Sequence, residues 1–382
     1  MLDLTAADIL PTDGADACLV GRLWVSGPQP GPRTVAVRDG NLIDLSRLAP
    51  TLSDLFDLAD AAAKVRAHDG AVLATVDAAL AEKHLLAPCD LQAIKAAGVT
   101  FADSLVERVI EERANGDFMA AQRLRMELAE SFGGALTGIK PGTPEAEEAA
   151  KVLKRDGMWS QYLEVGIGPD AEIFTKAQPM SAVGCGAEVG LHPKSEWNNP
   201  EPEVVLAVNS RGEVKGAALG NDVNLRDFEG RSALLLGKAK DNNASCAIGP
   251  FIRLFDDHFG IDDVRRCELA MQVTGPEGFI MKGESSLSKI SRDPLDLVSQ
   301  AIGANHQYPD GFMLFMGTMF APTQDRHGPG QGFTHVVGDV VTVQTPSLGT
   351  LVNRVNTSDK VAPWTFGTRA LMRNLAARGL VQ

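Results

Sequence analysis

Three carboxylates in two short segments constrain the fold of this chain more than any other feature. Glu201 and Glu203 stand just before and within an apolar run that continues over residues 204–208, and Asp222 ends a second, mostly apolar run. Alternate residues of a strand face the same side, so Glu201 and Glu203 share one surface. A two-residue turn at residues 211–212 would place Glu201 opposite Asp222, with Cβ atoms roughly 4.5–5.5 Å apart. The pattern therefore predicts a β-hairpin whose open end gathers three acidic side chains.

Such a cluster of carboxylates predicts a bound divalent cation. Like charges held together in a partly buried site repel one another and raise each other's pKa values unless a cation compensates them. An all-oxygen ligand set without nearby Cys or His suits Mg²⁺, with Mn²⁺ or Ca²⁺ as substitutes, and argues against Zn²⁺. The alternative is a solvated acidic end of a hairpin, which needs no ion.

The overall composition limits the classes of partner. The 382 residues are 44% hydrophobic and 22% charged, with a formal net charge of −13. This acidity argues against nucleic acids and anionic membranes, and no apolar run reaches the roughly 18 residues of a bilayer span. The start lacks the features of a signal peptide, and five scattered cysteines indicate reduced thiols. We therefore expect a cytoplasmic protein, in which a small anionic substrate would need local positive charge.

The first part of the chain predicts a small N-terminal α+β domain, residues 1–84. Residues 33–45 alternate like two strands around an Asp-Gly turn, whereas residues 52–65 and 71–81 have helical periodicity. The remainder, residues 85–382, is expected to form a metal-dependent catalytic domain.

A helical insert at about residues 103–157 is predicted within the second domain. Its pattern indicates two helices within residues 104–132, broken near Gly116, and a third over residues 144–154. We expect the charged faces of these helices, including Glu111, to be solvated.

From about residue 163 onward, short strands separated by Gly and Pro turns dominate the pattern. Strands are predicted at residues 269–273, 279–282, 312–316, 340–344 and 351–355, with a helix at residues 294–302. The mixture predicts the α+β class, with a β-rich core and helices on its outside. The regular strand-helix alternation of a doubly wound sheet is absent from the sequence.

Several motifs of the second domain resemble the fumarylacetoacetate hydrolase family. They are residues 172–174, 199–203, 220–227, Lys240 and residues 249–251. The resemblance covers about residues 85–360. It implies a β-roll catalytic domain, a homodimer or a dimer of dimers, and Mg²⁺ held by Glu201, Glu203 and Asp222 beside Lys240.

Longer signatures narrow this resemblance. Residues 159–164, 230–251 and 306–311 look most like the dehydratases of this family that act on 2-keto-3-deoxy-D-pentonates of the D-xylonate and D-arabinonate series. This resemblance implies a hydro-lyase of pentose degradation that converts a 2-keto sugar acid to 2,5-dioxopentanoate.

Two side chains are candidates for proton transfer in such a reaction. A 2-keto acid can chelate a metal through its carboxylate and ketone oxygens, which makes the C3 proton acidic because the ion stabilises the enolate. Lys240 is the candidate near C3, since a neighbouring dication disfavours its ammonium form. Glu172 is the candidate that protonates the departing hydroxyl, although the two roles could be exchanged. The plainer alternatives are a surface lysine and a charged loop.

Four residues are candidates for substrate binding. Gly317 and Thr318 follow an apolar strand, where glycine admits close backbone approach and the Thr hydroxyl could hold the substrate carboxylate. Arg226 either contacts substrate or pairs with a carboxylate to orient the metal ligands. Phe101 is the fourth candidate.

The sequence leaves two other functions open. A carbon-carbon hydrolase that cleaves an acylpyruvate or similar β-diketone is the first, and a non-catalytic sugar-acid binding protein is the second. Hydrolases of this family use an early His-Glu pair, but no histidine lies between His84 and His192. His192 and Glu196 fall in a loop, residues 185–198, that is a candidate lid. The absence of an early histidine favours elimination over hydrolysis.

Overall fold

The fold was analysed in a computed structural model that describes residues 2–115, 117–124, 139–155, 157, 159–320, 322–329 and 331–381. The strands are β1 (Leu19–Val25), β2 (Gly31–Arg38), β3 (Asn41–Asp44), β4 (Val72–Thr75), β5 (Leu85–Leu86), β6 (Ala93–Ala97), β7 (Ile173–Ala177), β8 (Glu188–Leu191), β9 (Asn198–Asn199), β10 (Pro202–Val208), β11 (Val214–Asp222), β12 (Asn224–Leu225), β13 (Cys246–Leu254), β14 (Glu268–Thr274), β15 (Ile280–Ser286), β16 (Phe312–Phe315), β17 (Val340–Thr345) and β18 (Gly349–Thr357). The α-helices are α1 (Ala6–Ile9), α2 (Leu52–Asp57), α3 (Ala61–Ala67), α4 (Val76–Ala81), α5 (Ala102–Arg113), α6 (Pro144–Arg155), α7 (Gln161–Ile167), α8 (Arg226–Glu229), α9 (Leu236–Lys240), α10 (Ile261–Arg265), α11 (Pro294–Ala301) and α12 (Thr368–Ala377).

Two sheets enclose the main hydrophobic core. The larger runs in the order β4-β3-β2-β1-β13-β11-β10-β16-β6-β7, with β5 also paired to β1, and the smaller runs β15-β14-β17-β18-β8. Apolar side chains of both sheets meet between them, as Leu219 and Phe251 of the first and Val343 and Leu351 of the second illustrate. The predicted α+β class with a β-rich core is confirmed.

The hairpin of β10 and β11 lies at the centre of the larger sheet and has the predicted register. Pro202 pairs with Asn221 and Glu203 with Gly220. The backbone N–H of Asp222 donates to the carbonyl of Glu201 over 2.9 Å. The three acidic residues therefore come together at the open end of the hairpin.

The predicted two-residue turn is wrong, although the register is right. The Asn209 N–H donates to the Glu213 carbonyl, which leaves a three-residue loop closed by Gly212 at a φ of +80°. A β-bulge at Ala207 and Val208 then shifts the pairing by one residue. Because the bulge offsets the longer loop, the far end of the hairpin keeps the pairing that a tighter turn would have given.

The N-terminal strands extend the larger sheet, since β1 pairs antiparallel with β13. The two strands around the Asp-Gly turn are confirmed as β2 and β3. The single helix predicted over residues 52–65 is wrong, because Asp60 adopts a left-handed conformation and separates α2 from α3. The first residues of the other predicted helix form β4 instead, paired to the edge of β3. The domain boundary near residue 84 stays a prediction.

Two of the helices predicted within the insert are present as α5 and α6. Gly116, where a break was predicted, and residues 125–138 lie outside the described residues. Leu105 of α5, Leu153 of α6 and Leu163 of α7 share a small hydrophobic core, which packs these three helices together. The five later strands and the helix after Asp293 are confirmed as β14 to β18 and α11. None of the helices in the described part of the chain combines the length and hydropathy that crossing a bilayer requires.

Candidate metal centre and active site

Glu201, Glu203 and Asp222 form a buried cluster at the open end of the central hairpin. Each side chain offers one carboxylate oxygen, and these oxygens lie within 4.8 Å of one another. All three residues are at most 3% exposed. The alternative, an acidic hairpin end exposed to solvent, is therefore wrong.

Glu201 is surrounded by cationic and amide donors. Its Oε2 atom pairs with the ammonium of Lys240, and its Oε1 atom pairs with Arg108 and accepts a hydrogen bond from Asn224 over 3.1 Å. Burial alone would raise the pKa of Glu201, but the charges of Lys240 and Arg108 lower it to about 2. Glu201 is therefore a carboxylate at any physiological pH.

Glu203 has the opposite electrostatic surroundings. Its Oε2 atom accepts a hydrogen bond from the backbone N–H of Gly317 over 2.7 Å. Burial raises the pKa of Glu203 well above its usual value, and the neighbouring charges of Asp222 and Glu201 raise it further. Negative charge in the cluster is thus only partly compensated by the side chains around it.

Lys240 ends the short helix α9 and enters the cluster directly. Its Nζ atom pairs with Glu201 and lies 3.1 Å from an oxygen of Asp222, above the ring of Phe174. Although burial opposes the charged form, Asp222 and Glu201 raise the pKa of Lys240. A bound metal would lower this pKa, as the sequence predicts. The side chains alone have the opposite effect.

Glu172 precedes β7 and lines the same pocket. Its carboxylate lies against Gly98, where a Cβ atom would collide with it. Burial and the charge of Glu229 raise the pKa of Glu172 to about 7, although Arg108 and Lys240 oppose them. Glu172 is thus partly protonated near neutral pH.

A buried ion-pair network extends the site towards the helical insert. Arg108 contacts Glu111 over 2.7 Å and Glu229 over 2.8 Å, and Arg226 lies 3.2 Å from Glu111. Glu111 is 1% exposed, so its predicted solvation is wrong. The network was missed because a charged helix face is normally solvated. The only sequence signal is the pairing of Arg108 and Glu111 at the i, i+3 spacing.

The candidates for substrate binding occupy different places. Thr318 lines the pocket, where its hydroxyl donates to the carbonyl of Phe320 over 3.1 Å. Gly317 instead holds Glu203, and Arg226 pairs with Glu111 and donates to the carbonyl of Pro322. The side chain of Phe101 packs in the main core.

The alternative His192-Glu196 pair lies in other surroundings. The ring of His192 contacts Phe228, and its Nε2 atom lies 3.5 Å from the Nζ atom of Lys238. Glu196 is exposed to solvent. Among the described residues that line the pocket, neither of the two is present.

The pocket itself is narrow and strongly charged. Its lining consists of Ala97, Gly98, Val99, Arg108, Glu172, Phe174, Glu201, Glu203, Asp222, Glu229, Lys240 and Thr318. The acidic residues of this lining outnumber the two cations, Arg108 and Lys240. A divalent cation at the hairpin end would therefore improve the charge balance of the pocket.

Comparisons with known proteins agree with this arrangement. Residues 161–356 match the family described as fumarylacetoacetate (FAA) hydrolase C-terminal. The chain belongs to the fumarylacetoacetate hydrolase family. The match spans the three clustered carboxylates, Lys240 and Glu172.

Two curated proteins are similar to the chain. One is a probable 2-keto-3-deoxyxylonate dehydratase of Haloferax volcanii, 28% identical over 343 residues that cover 88% of this chain and 98% of the relative. The other is a 2-dehydro-3-deoxy-D-arabinonate dehydratase of Saccharolobus solfataricus, 28% identical over 215 residues, 56% of this chain and 67% of the relative.

A solved structure shares the fold. It is a 2-keto-3-deoxy-D-arabinonate dehydratase complexed with magnesium and 2,5-dioxopentanoate, with a TM-score of 0.61 and 19% sequence identity. The alignment covers 89% of this chain and 99% of that chain. The predicted fold type of the fumarylacetoacetate hydrolase family is therefore confirmed.

Proposed function

We propose that this protein is a Mg²⁺-dependent hydro-lyase that dehydrates 2-keto-3-deoxy-D-pentonate to 2,5-dioxopentanoate. The observation that carries the proposal is the buried trio of Glu201, Glu203 and Asp222, contacted by Lys240 and with Glu172 in the same pocket. The names of the two curated relatives, and the magnesium and product in the solved structure, support the same activity.

The proposed substrate is a single compound. D-Xylonate and D-arabinonate differ only at C2 and C3, and both stereocentres disappear in the 2-keto-3-deoxy acid. Loss of a C3 proton and of the C4 hydroxyl releases water and leaves a C3–C4 double bond. Proton transfer from C5 to C3, and from the C5 hydroxyl to C4, then gives the C5 aldehyde.

The residues of the trio fit a hard divalent cation. Glu201, Glu203 and Asp222 supply three converging oxygens, and the raised pKa of Glu203 reflects its burial together with nearby negative charge that a cation would compensate. When bound, Mg²⁺ would polarise the 2-keto group and stabilise the negative charge that develops when C3 loses a proton. Mn²⁺ or Ca²⁺ are proposed as substitutes in the same site.

Lys240 and Glu172 are proposed to move the protons. The Nζ atom of Lys240 lies against two of the three proposed ligands, which places it beside any acid bound there. We assign it the C3 proton. The pKa of Glu172, about 7, leaves a fraction of its carboxyl groups protonated at neutral pH. We assign that proton to the departing C4 hydroxyl.

Thr318, which lines the same pocket, is proposed to hold the substrate, while Arg226 and Gly317 orient ligands rather than substrate. Contact of Phe101 with the substrate, a homodimer or dimer of dimers, and a cytoplasmic location stay predictions.

The test is turnover by the purified chain after metal removal by a chelator. With Mg²⁺ restored, 2-keto-3-deoxy-D-pentonate should disappear with stoichiometric formation of 2,5-dioxopentanoate, and without a divalent ion turnover should cease. Lys240→Met and Glu172→Gln should each lower kcat about 10²- to 10⁴-fold. Turnover that survives complete metal removal would refute the proposal.

A parallel assay with an acylpyruvate separates elimination from hydrolysis. Cleavage into two acids would establish the hydrolase alternative, and His192→Ala should then abolish it. For the proposed dehydratase, His192→Ala should change kcat less than about twofold, because His192 lies outside the pocket lining.

A further inference from the structure

A second lysine, Lys176, lies beneath the site and has no role in the chemistry described above. Its side chain is fully buried, at 0% exposure. It belongs to β7, two residues past Phe174, at a point where the pairing of β7 with β6 shifts register. A buried ammonium is costly unless every donor has a partner, so its contacts require an explanation.

The ammonium of Lys176 has one ion-pair partner and two hydrogen-bond acceptors. Its Nζ atom lies 2.8 Å from Oδ1 of Asp222 and donates to the carbonyl of Val223 over 3.1 Å. The second acceptor is the carbonyl of Lys240. Lys176 therefore contacts the side chain of one proposed metal ligand and the backbone of the proposed base.

Both contacts restrict geometry at the site. With Oδ1 of Asp222 held by Lys176, Oδ2 is the oxygen that lies towards Lys240. The carbonyl of Lys240 ends helix α9, where carbonyls lack partners within the helix, and Lys176 and the hydroxyl of Ser245 occupy it. These contacts hold the backbone of Lys240, from which its side chain extends into the pocket.

We propose that Lys176 is a positioning residue, which orients Asp222 for metal binding and aims Lys240 into the pocket. This inference rests on the proposed function, since it takes Asp222 as a ligand. The competing explanation is that Lys176 only balances charge.

The two explanations predict opposite effects when the charge is removed. A lysine that only balanced charge would repel the metal, so Lys176→Met would strengthen Mg²⁺ binding. A positioning lysine holds a ligand in place, and loss of such partners weakens metal affinity about 10- to 100-fold. The direction of the change therefore decides between them.

The experiment is a calorimetric Mg²⁺ titration of the metal-free full-length chain and its Lys176→Met variant. We expect Mg²⁺ affinity to fall about 10- to 100-fold, and kcat to stay reduced at saturating Mg²⁺ because Lys240 has lost an anchor. Lys95→Met is the matched control. Lys95 lies on the neighbouring strand β6 and donates to the exposed Thr175 over 2.9 Å, so its loss should leave Mg²⁺ affinity unchanged.

Unchanged or tighter Mg²⁺ binding by Lys176→Met would overturn the inference. If that variant does not fold, Lys176→Gln, which keeps an amide donor, is titrated in its place, with the same direction expected and the same outcome decisive. A wild-type chain that binds no Mg²⁺ would instead refute the proposed function itself.

Discussion

The backbone N–H of Gly317 donates to the Oε2 atom of Glu203 over 2.7 Å. Glu203 stands near the start of β10, and Gly317 follows the neighbouring strand β16, so the contact connects two adjacent strands of the sheet at the site. Burial and the charges of Asp222 and Glu201 raise the pKa of Glu203, so its ionised form depends on this donor and on any bound cation. Glu203 is therefore a proposed metal ligand whose negative charge is unfavourable when no cation is bound.

Glu203→Gln should therefore change stability and metal binding in opposite directions. In the metal-free chain, a carboxyl whose pKa is raised destabilises the fold at pH 7, whether it takes up a proton or stays charged, so its replacement should raise the melting temperature. With Mg²⁺ present, one of the three proposed ligands is lost, and affinity should fall more than about 100-fold, beyond the usual effect of losing an outer partner. Thermal melts with and without Mg²⁺ measure both effects. A melting temperature that falls in the metal-free variant would contradict the electrostatic argument.

Gly317→Ala should damage the site through sterics. Gly317 has a φ of +98°, and an added Cβ would collide with the hydroxyl of Thr100. We expect a loss of more than about 1 kcal/mol in the free energy of unfolding, and about tenfold weaker Mg²⁺ binding as Glu203 shifts. Gly278→Ala is the control, because φ there is +88° with open space around it. Equal effects of the two substitutions on Mg²⁺ affinity would refute this role for Gly317.

The central hairpin shows what the sequence can predict. Strand alternation and an assumed turn at residues 211–212 were sufficient to predict that Glu201, Glu203 and Asp222 lie together, because side-chain direction has a period of two residues. The longer loop at Asn209 and the compensating bulge at Ala207 have no comparable signal. Both depend on backbone geometry. The predicted register is preserved only because the bulge offsets the extra residue of the loop.

The buried charged side chains show what the sequence could not predict. Arg108, Glu111 and Lys176 sit in segments whose charges would normally be solvated, and their burial depends on elements distant in sequence. Arg108 of α5, for instance, reaches Glu229 and Glu201 across the fold. A helical pattern identifies a charged face but not the element that packs against it.

The pH dependence of kcat should report the protonation of Glu172. With its pKa raised to about 7, a residue that donates its proton is active when protonated. The rate should therefore be level below about pH 6 and fall as pH rises through 7, and Glu172→Gln should lose this dependence. Glu164→Gln, on an exposed pair with Lys154, should keep the wild-type profile. A rate that rises through pH 7 would mean that Glu172 is the base and that the two roles are exchanged.

Asp339 should make the stability of the loop that follows Thr318 sensitive to acid. It pairs with Arg326 over 2.6 Å and with His335 over 2.7 Å, in a fully buried cluster. Burial alone would raise the pKa of Asp339, but the hydrogen bonds from Arg326 and His335 lower it to about 2. A carboxyl with a depressed pKa stabilises the fold above its unfolded pKa of 3.8, and this contribution is lost as pH falls towards 2.

Asp339→Asn should lower the free energy of unfolding at pH 7 by about 3 kcal/mol, because it leaves a buried guanidinium without its main partner. The difference from wild type should shrink below about pH 4, because the carboxyl of the unfolded chain then takes up a proton while the native carboxyl, with its pKa of about 2, still resists protonation. Urea unfolding across this pH range measures both quantities. Asp262→Asn, which breaks an exposed pair with Arg265, should cost less than about 1 kcal/mol. If the two variants lose equal stability at pH 7, the Asp339 cluster does not anchor this loop.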